Sequence, residues 1–164
     1  MKERPAPSPD SLRLTRTPPL LVVTGMTLDA ERFARPLAEA IRDHARAWLD
    51  LEVDDDGHAE PAFDPIVCTD IWWLNSAELR ACPTVAVGGP EQNALTAYLA
   101  DKLPSVFAMD GRVLVQMDLD GVDLLAACWG VDDDTTSAAV DRFLEVYLDR
   151  FMESACARRD ASAR

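Results

Sequence analysis

Two stretches decide the fold, TVAVGGPEQN at residues 84–93 and ACWGVDDDTT at residues 127–136. Each is an apolar run that ends in glycine and leads at once into residues typical of a helix start. In the first, Pro90 suits the first position of a helix from Glu91 to about Leu103. In the second, Gly130 precedes the clearest amphipathic pattern of the chain. A buried strand that feeds directly into a helix is the repeating unit of a parallel sheet.

The order of a strand followed by a helix also occurs nearer the N-terminus. PLLVVTG at residues 19–25 predicts a strand buried on both faces, and a helix follows between residues 29 and 49. Pro36 favours either a helix start near Arg35 or a bend there. The apolar stripe predicted for this helix is Phe33, Leu37, Ala40, Ile41, His44 and Trp48.

The segment that follows predicts a strand and a short helical turn. Residues 65–75 are apolar enough for a central strand that ends in a turn at Asn75. Ser76 then caps a helical turn to Cys82, with Leu79 as its packing residue.

A hairpin and a long helix complete the domain. Residues 111–118 and 122–129 flank an Asp-Gly pair, which predicts an antiparallel hairpin. The last helix buries one face, made of Val140, Phe143, Leu144, Tyr147, Leu148, Phe151 and Met152. We therefore predict a three-layer α/β fold with a mostly parallel sheet, helices on both faces and one antiparallel hairpin. Residues 19–153 form one domain, residues 1–18 a disordered tail and residues 154–164 a frayed tail.

Composition limits the partners. The chain has 164 residues, with 16 basic and 29 acidic side chains that give a net charge of −13. Such a charge repels nucleic acids and anionic membranes, so we expect neither as a partner. Residues 1–18 lack an apolar stretch of signal-peptide length, which predicts a cytoplasmic protein. A protein partner should be basic.

The cysteines and histidines form no recognisable site. Cys68, Cys82, Cys128 and Cys156 lie too far apart for zinc spacing, and the two histidines are not near them. Reduced cysteines in apolar runs behave as small hydrophobic residues. Only Cys82, two residues after Arg80, has a basic neighbour in sequence that could favour a thiolate.

A ligand site is expected where the parallel strands end. Ligands of open α/β sheets bind beyond the carboxyl ends of the strands, where turns lead into helix N-termini. The turns here also supply Thr27, Ser76 and Gln92 as neutral polar groups. The residues predicted to bind a ligand are Gly88, Gly89, Asn93, Asn75, Gly130, Thr135 and Thr136.

Carboxylates at the same turns have two interpretations. Asp132, Asp133 and Asp134 at a helix start would cap free amides and complement the helix dipole. Alternatively Asp70, Asp132 and Asp134 hold a divalent metal. The Gly88-Gly89-Pro90 turn lacks the spacings of dinucleotide and phosphate loops, so we predict no cofactor.

A strand running into GGP-x-x-N at residues 88–93, followed by a later strand running into GVDDDTTSAAV at residues 130–140, resembles the α/β domain of archaeal surface-layer (S-layer) proteins. The resemblance covers about 50 residues. It implies that Gly88, Gly89, Pro90 and Asn93 form a turn beside that of Gly130, Thr135 or Thr136 and Ala139, and it implies no reaction. The chain departs from that pattern by lacking an export signal and surrounding β-domains.

Three functions follow from these features. The first is a non-catalytic module that binds a small ligand or a basic protein in the crevice at the strand ends. The second is a divalent-metal-dependent hydrolase or phosphoryl-transfer enzyme that uses Asp70 and residues 132–134. The third is a structural component that forms a homo-oligomer.

Overall fold

A computed structural model describes residues 17–51, 61–120 and 123–164. Six strands form one sheet in the order β2-β1-β3-β6-β5-β4. The strands are β1 Pro19–Thr24, β2 Asp64–Thr69, β3 Thr84–Val87, β4 Ser105–Met109, β5 Val113–Asp118 and β6 Leu125–Gly130. β2, β1, β3 and β6 are parallel, and β5 runs antiparallel to both of its neighbours. The α/β class predicted from the sequence is confirmed.

Helices cover both faces of the sheet. The helices are α1 Leu28–Leu51, α2 Asp70–Asn75, α3 Ala77–Arg80, α4 Ala94–Leu99, α5 Asp133–Arg142 and α6 Leu148–Ser162, with a π-helical turn Phe143–Tyr147 between the last two. One core packs α1, α5 and α6 against the sheet. A smaller core on the other face is covered by the short helices α2, α3 and α4. None of the helices in the described part of the chain is long and apolar enough to cross a membrane.

The buried face of α1 differs from the predicted stripe. Ala30, Ala34, Ala38, Ile41, Ala45 and Leu49 face the core, whereas Phe33 and His44 are exposed. The face is therefore rotated by about one residue. Small alanine side chains let the helix lie close to the sheet, and the larger apolar residues sit at its margin. The helix also begins at Leu28 and continues past Pro36, so a start near Arg35 was wrong.

The predicted strand at residues 65–75 was wrong in its second half. β2 ends at Thr69, lies at the sheet edge rather than its centre, and leads directly into α2. A continuous apolar run has no periodicity that would separate a strand from a helix. The following turn was correct, because the Ser76 hydroxyl accepts a hydrogen bond from Leu79 N and Leu79 is buried.

Strand β4 was missed, although the Asp110-Gly111 pair before β5 is a sequence signal for a hairpin turn. Asp110 and Gly111 have φ values of 53° and 65°, as the central residues of a type I′ turn do. The predicted antiparallel pairing is confirmed as β5 with β6, while Gly121 and Val122 lie outside the described residues.

The last helix extends further than predicted. Its predicted apolar face is buried or half-buried, as expected. Residues 154–162, predicted to fray, continue α6, and Ala155 is buried. Residues 1–16 of the predicted N-terminal tail are outside the described part.

Candidate functional site

The turns after β1, β3 and β6 meet at the carboxyl rim, which we define as the sheet edge where the four parallel strands end. A Cβ atom added to Gly25 would lie 1.7 Å from Gln92 O, and one added to Gly89 would lie 3.3 Å from Gly130 O. Gly88 N also donates to Cys128 O at 3.2 Å. The segments at residues 25, 89 and 130 therefore adjoin each other.

A cavity of about 330 Å³ lies between the β3 and β6 turns. Its lining is Gly89, Pro90, Glu91, Gln92, Trp129, Gly130, Val131, Asp132 and Thr136. Of the residues predicted to bind a ligand, it thus brings together Gly89, Gly130 and Thr136. The side chains of Glu91 and Gln92 make no hydrogen bond or ion pair within residues 17–51, 61–120 and 123–164.

Trp129 forms one wall of this cavity, and a hydrogen bond from its indole N–H holds the ring in place. Its Nε1 donates to Gln116 Oε1 at 2.8 Å. The Gln116 amide in turn donates to Ala100 O at 2.8 Å and Leu103 O at 3.0 Å. Sequence reasoning missed both side chains, although a tryptophan one residue before a predicted rim turn is a usable signal.

Asn93 lies in the turn after β3, and both polar atoms of its side chain are hydrogen-bonded to the backbone. The side chain is 1% exposed. Its Nδ2 donates to Val23 O at 3.0 Å and Val87 O at 2.9 Å. Its Oδ1 accepts from Leu95 N and Thr96 N, which makes Asn93 the N-cap of α4. The predicted helix from Glu91 therefore starts three residues later, and Asn93 has no donor or acceptor left for a ligand.

Asp70 is a second buried side chain whose hydrogen bonds hold backbone groups at the rim. Its side chain is 4% exposed. Oδ1 accepts from Ile71 N and Oδ2 from Ala94 N, both at 2.8 Å. The carboxylate thus ties the end of β2 to the start of α4.

The turn after β6 is held by a capping box. Asp132 Oδ1 accepts from Thr135 N at 2.8 Å, and Asp132 N donates to Thr135 Oγ1 at 3.0 Å. The Thr135 hydroxyl bond, with the Thr135 amide and Arg112 contributing less, lowers the pKa of the Asp132 carboxyl. Beneath it, the buried Thr136 Oγ1 accepts from Gly130 N at 3.0 Å. This is the capping interpretation of the aspartate run.

Three other predicted groups serve local structure. Asn75 is exposed, does not line the cavity, and donates to Ile71 O at 2.8 Å. Thr27 Oγ1 accepts from Ala30 N at 3.2 Å, and Ser76 caps α3. Across the described ranges, no three His, Cys, Asp or Glu side chains lie close enough to share a metal ion.

Burial opposes thiolate formation at three of the cysteines. Burial raises the pKa of the Cys68 thiol to about 12 and also raises the pKa of Cys128 and Cys82. The Arg80 guanidinium donates to Leu74 O. The direction at Cys82 is thus opposite to that of a reactive thiolate.

No protein-family model and no curated protein matches this chain. Its chemistry has to be inferred from the rim itself. The four rim turns and helix starts, residues 25–32, 70–76, 88–94 and 130–136, hold seven carboxylates and one basic side chain, Arg32. The rim therefore has a net negative charge, although Arg35 and Arg112 from outside these turns pair with Glu31 and Asp132.

Proposed function

We propose that the chain is a non-catalytic binding module whose cavity between the β3 and β6 turns takes a small organic cation with a flat apolar part. The observation that carries this proposal is the fixed Trp129 wall in an anionic, glycine-turned cavity. The volume of about 330 Å³ is at the lower end of the range for small-molecule pockets, about 300–1,000 Å³.

The wall favours a flat or methylated ligand. Because Gln116 holds the indole N–H, the ring cannot swing away without losing that bond. An indole face attracts cations by about 0.5–2 kcal/mol, depending on how well water is excluded.

The charge of the lining favours a cation over an anion. Glu91 lines the cavity with no partner in the described ranges, whereas the other carboxylate of the lining, Asp132, is paired with Arg112 at 3.2 Å. A phosphate or carboxylate brought here would meet like charges. The same arrangement supports a role for a basic ligand group.

The use of the other polar side chains supports binding rather than catalysis. Asp70, Asn93, Thr135 and Thr136 each hold backbone groups of the rim. A general acid or base must reach a substrate proton with a free atom. Glu91 and Gln92 are the cavity side chains that keep their polar atoms free of the described protein groups.

Three probes of similar shape test the proposal: benzyltrimethylammonium, benzyl alcohol and benzoate. We expect the cation to raise the melting temperature most and benzoate least, because the group attached to the shared phenyl ring changes from positive through neutral to negative along this series. Trp129→Leu should abolish the rise for the cation, whereas Trp72→Leu, which changes an exposed tryptophan outside the cavity, should keep it. Equal shifts with benzoate and the cation, or no shift with any probe, would contradict the proposal.

A further inference from the structure

The exposed apolar side chains are concentrated at one edge of the molecule. Six of the ten large apolar residues that are exposed in the described ranges lie in or beside the turns of the carboxyl rim. We call these six the apolar rim: Met26, Leu28, Phe33, Ile71, Trp72 and Val131. Leu28 is 87% exposed and Trp72 is 49% exposed. Of the six, only Val131 lines the ligand cavity.

The topology places side by side the strand ends that lead into these residues. The ends of the four parallel strands are in register, because Thr24 pairs with both Thr69 and Val87, and Val87 pairs with Cys128. Neighbouring strands lie about 4.8 Å apart, so the four strand ends span about 14 Å. Phe33 on α1 also lies next to the turns after β3 and β6, since it lines a small cleft together with Gln92, Asp133 and Thr136. A surface of this width exceeds the diameter of a single helix, about 10 Å.

We propose that the apolar rim is a docking surface for a segment of another protein that carries apolar side chains flanked by lysine or arginine. Large exposed apolar patches bordered by polar residues mark interaction sites. The exposed groups that border the apolar rim are six carboxylates and Arg32, and two of the carboxylates are paired with Arg35 and Arg112. The border keeps a net negative charge, so the complementary partner is basic. The inference goes beyond the cavity ligand, because the docking residues lie mainly on the β1 and β2 side of the rim.

Charge argues against a second copy of this chain as the occupant. Two apolar rims facing each other would bring twelve exposed carboxylates to one interface against six arginines, counting Arg32, Arg35 and Arg112 of each copy. Like charges juxtaposed across an interface oppose association. A basic partner segment removes that repulsion and covers the same apolar side chains.

The experiment uses the full chain and two synthetic amphipathic helices with identical leucine positions, one carrying lysine and the other glutamate at the remaining positions. Fluorescence anisotropy of labelled peptide gives the dissociation constants at two salt concentrations. We expect the lysine peptide to bind and the glutamate peptide not to bind. The double variant Leu28→Ser, Trp72→Ser should raise the dissociation constant of the lysine peptide about tenfold or more, in the manner of interface anchors.

The matched control is Val106→Ser, Val146→Ser. These two residues are 37% and 46% exposed and lie near the start of β4 and in the π-helical turn. They are neighbours away from the strand ends, because the Tyr147 hydroxyl donates to Val106 O at 3.0 Å and Phe107 is level with Cys128 through Val115. This variant should bind within about twofold of the original chain, as a surface change outside an interface does. Met26→Ser serves as a second rim variant if the first lowers stability, which far-ultraviolet circular dichroism reports.

Four outcomes would overturn the inference. They are equal losses in the rim and control variants, equal binding of both peptides, no binding of the lysine peptide, and a dimer in sedimentation that the rim variant dissociates. Because Trp129 is unchanged in all of these variants, the benzyltrimethylammonium response is measured alongside. Its survival when peptide binding fails, or its failure when peptide binding survives, separates this inference from the proposed function.

Discussion

The turns after β3 and β6 both lead a buried parallel strand into a helix, but their polar side chains hold very different parts of the molecule. Asn93 is buried and joins β1, β3 and α4, including a bond to Val23 O, 70 residues away. Asp132 is exposed and Thr135 half-buried, and they bond mainly to each other, while Asp132 also accepts from Arg112. The β3 turn therefore joins distant parts of the chain through hydrogen bonds, whereas the β6 turn is a local helix cap with one buried hydrogen bond beneath it.

The largest effect is expected from Asn93→Ala. The change leaves two carbonyls and two amides without their buried partner. Unpaired buried groups cost about 1–3 kcal/mol each, and lost caps about 1 kcal/mol, with incomplete additivity. We expect unfolding free energy to fall by about 4 kcal/mol in equilibrium urea denaturation. Asn75→Ala is the control and should change it by less than about 0.5 kcal/mol. A similarly small change for Asn93→Ala would show that its hydrogen bonds do not stabilise the fold.

Gly88→Ala comes next. Gly88 has φ of 107°, a region that other residues rarely adopt, while an added Cβ would have ordinary contacts at 3.7 Å and 3.9 Å. The cost is therefore one of backbone strain, about 1–3 kcal/mol. Gly89→Ala provides the comparison, because Gly89 lies outside that φ region and meets Gly130 O at 3.3 Å. We expect urea denaturation to show a larger loss at position 88, and the reverse order would contradict this origin.

This difference between the turns also explains what the sequence could predict. The strands at residues 19–24 and 84–87, the glycine turns and the capping of α5 follow from local patterns, and each is present. The Asn93 bond to Val23 was not predictable in the same way, since no local pattern specifies which strand lies 70 residues away. A residue predicted to bind a ligand proved to be bonded on every polar atom.

The same limit applies to Asp70 and Trp129. Asp70 reads as a free carboxylate after an apolar run, yet α4 brings Ala94 N to it. Trp129 becomes a fixed wall only because Gln116 lies across the β5–β6 pair. Both roles depend on the strand order, which hydropathy does not determine.

Thr136→Val tests the one buried bond of the β6 turn. Valine keeps the shape of threonine but removes the acceptor for Gly130 N. We expect a loss of about 1–2 kcal/mol in unfolding free energy, smaller than at Asn93 because one group rather than four loses its partner. Thr136→Ser should retain most of the stability, since it keeps the hydroxyl. If serine lowered the unfolding free energy and valine did not, packing of the methyl group would be the cause instead of the hydrogen bond.

The smallest effect is expected from Asp132→Asn, and it should depend on pH. The Thr135 hydroxyl, the Thr135 amide and Arg112 lower the pKa of the Asp132 carboxyl below its ordinary value of 3.8. A carboxyl whose pKa is lower in the folded state stabilises it fully above the unfolded pKa, and this contribution is lost as pH falls through the folded pKa. Asparagine also caps a helix but carries no charge. The original chain should therefore be slightly more stable than the variant at neutral pH, and the difference should vanish in urea titrations well below pH 3.8. A difference that persists unchanged in acid would mean that the cap acts through its shape rather than its charge. The β6 turn would then be as independent of pH as the Asn93 turn, whose side chain does not titrate.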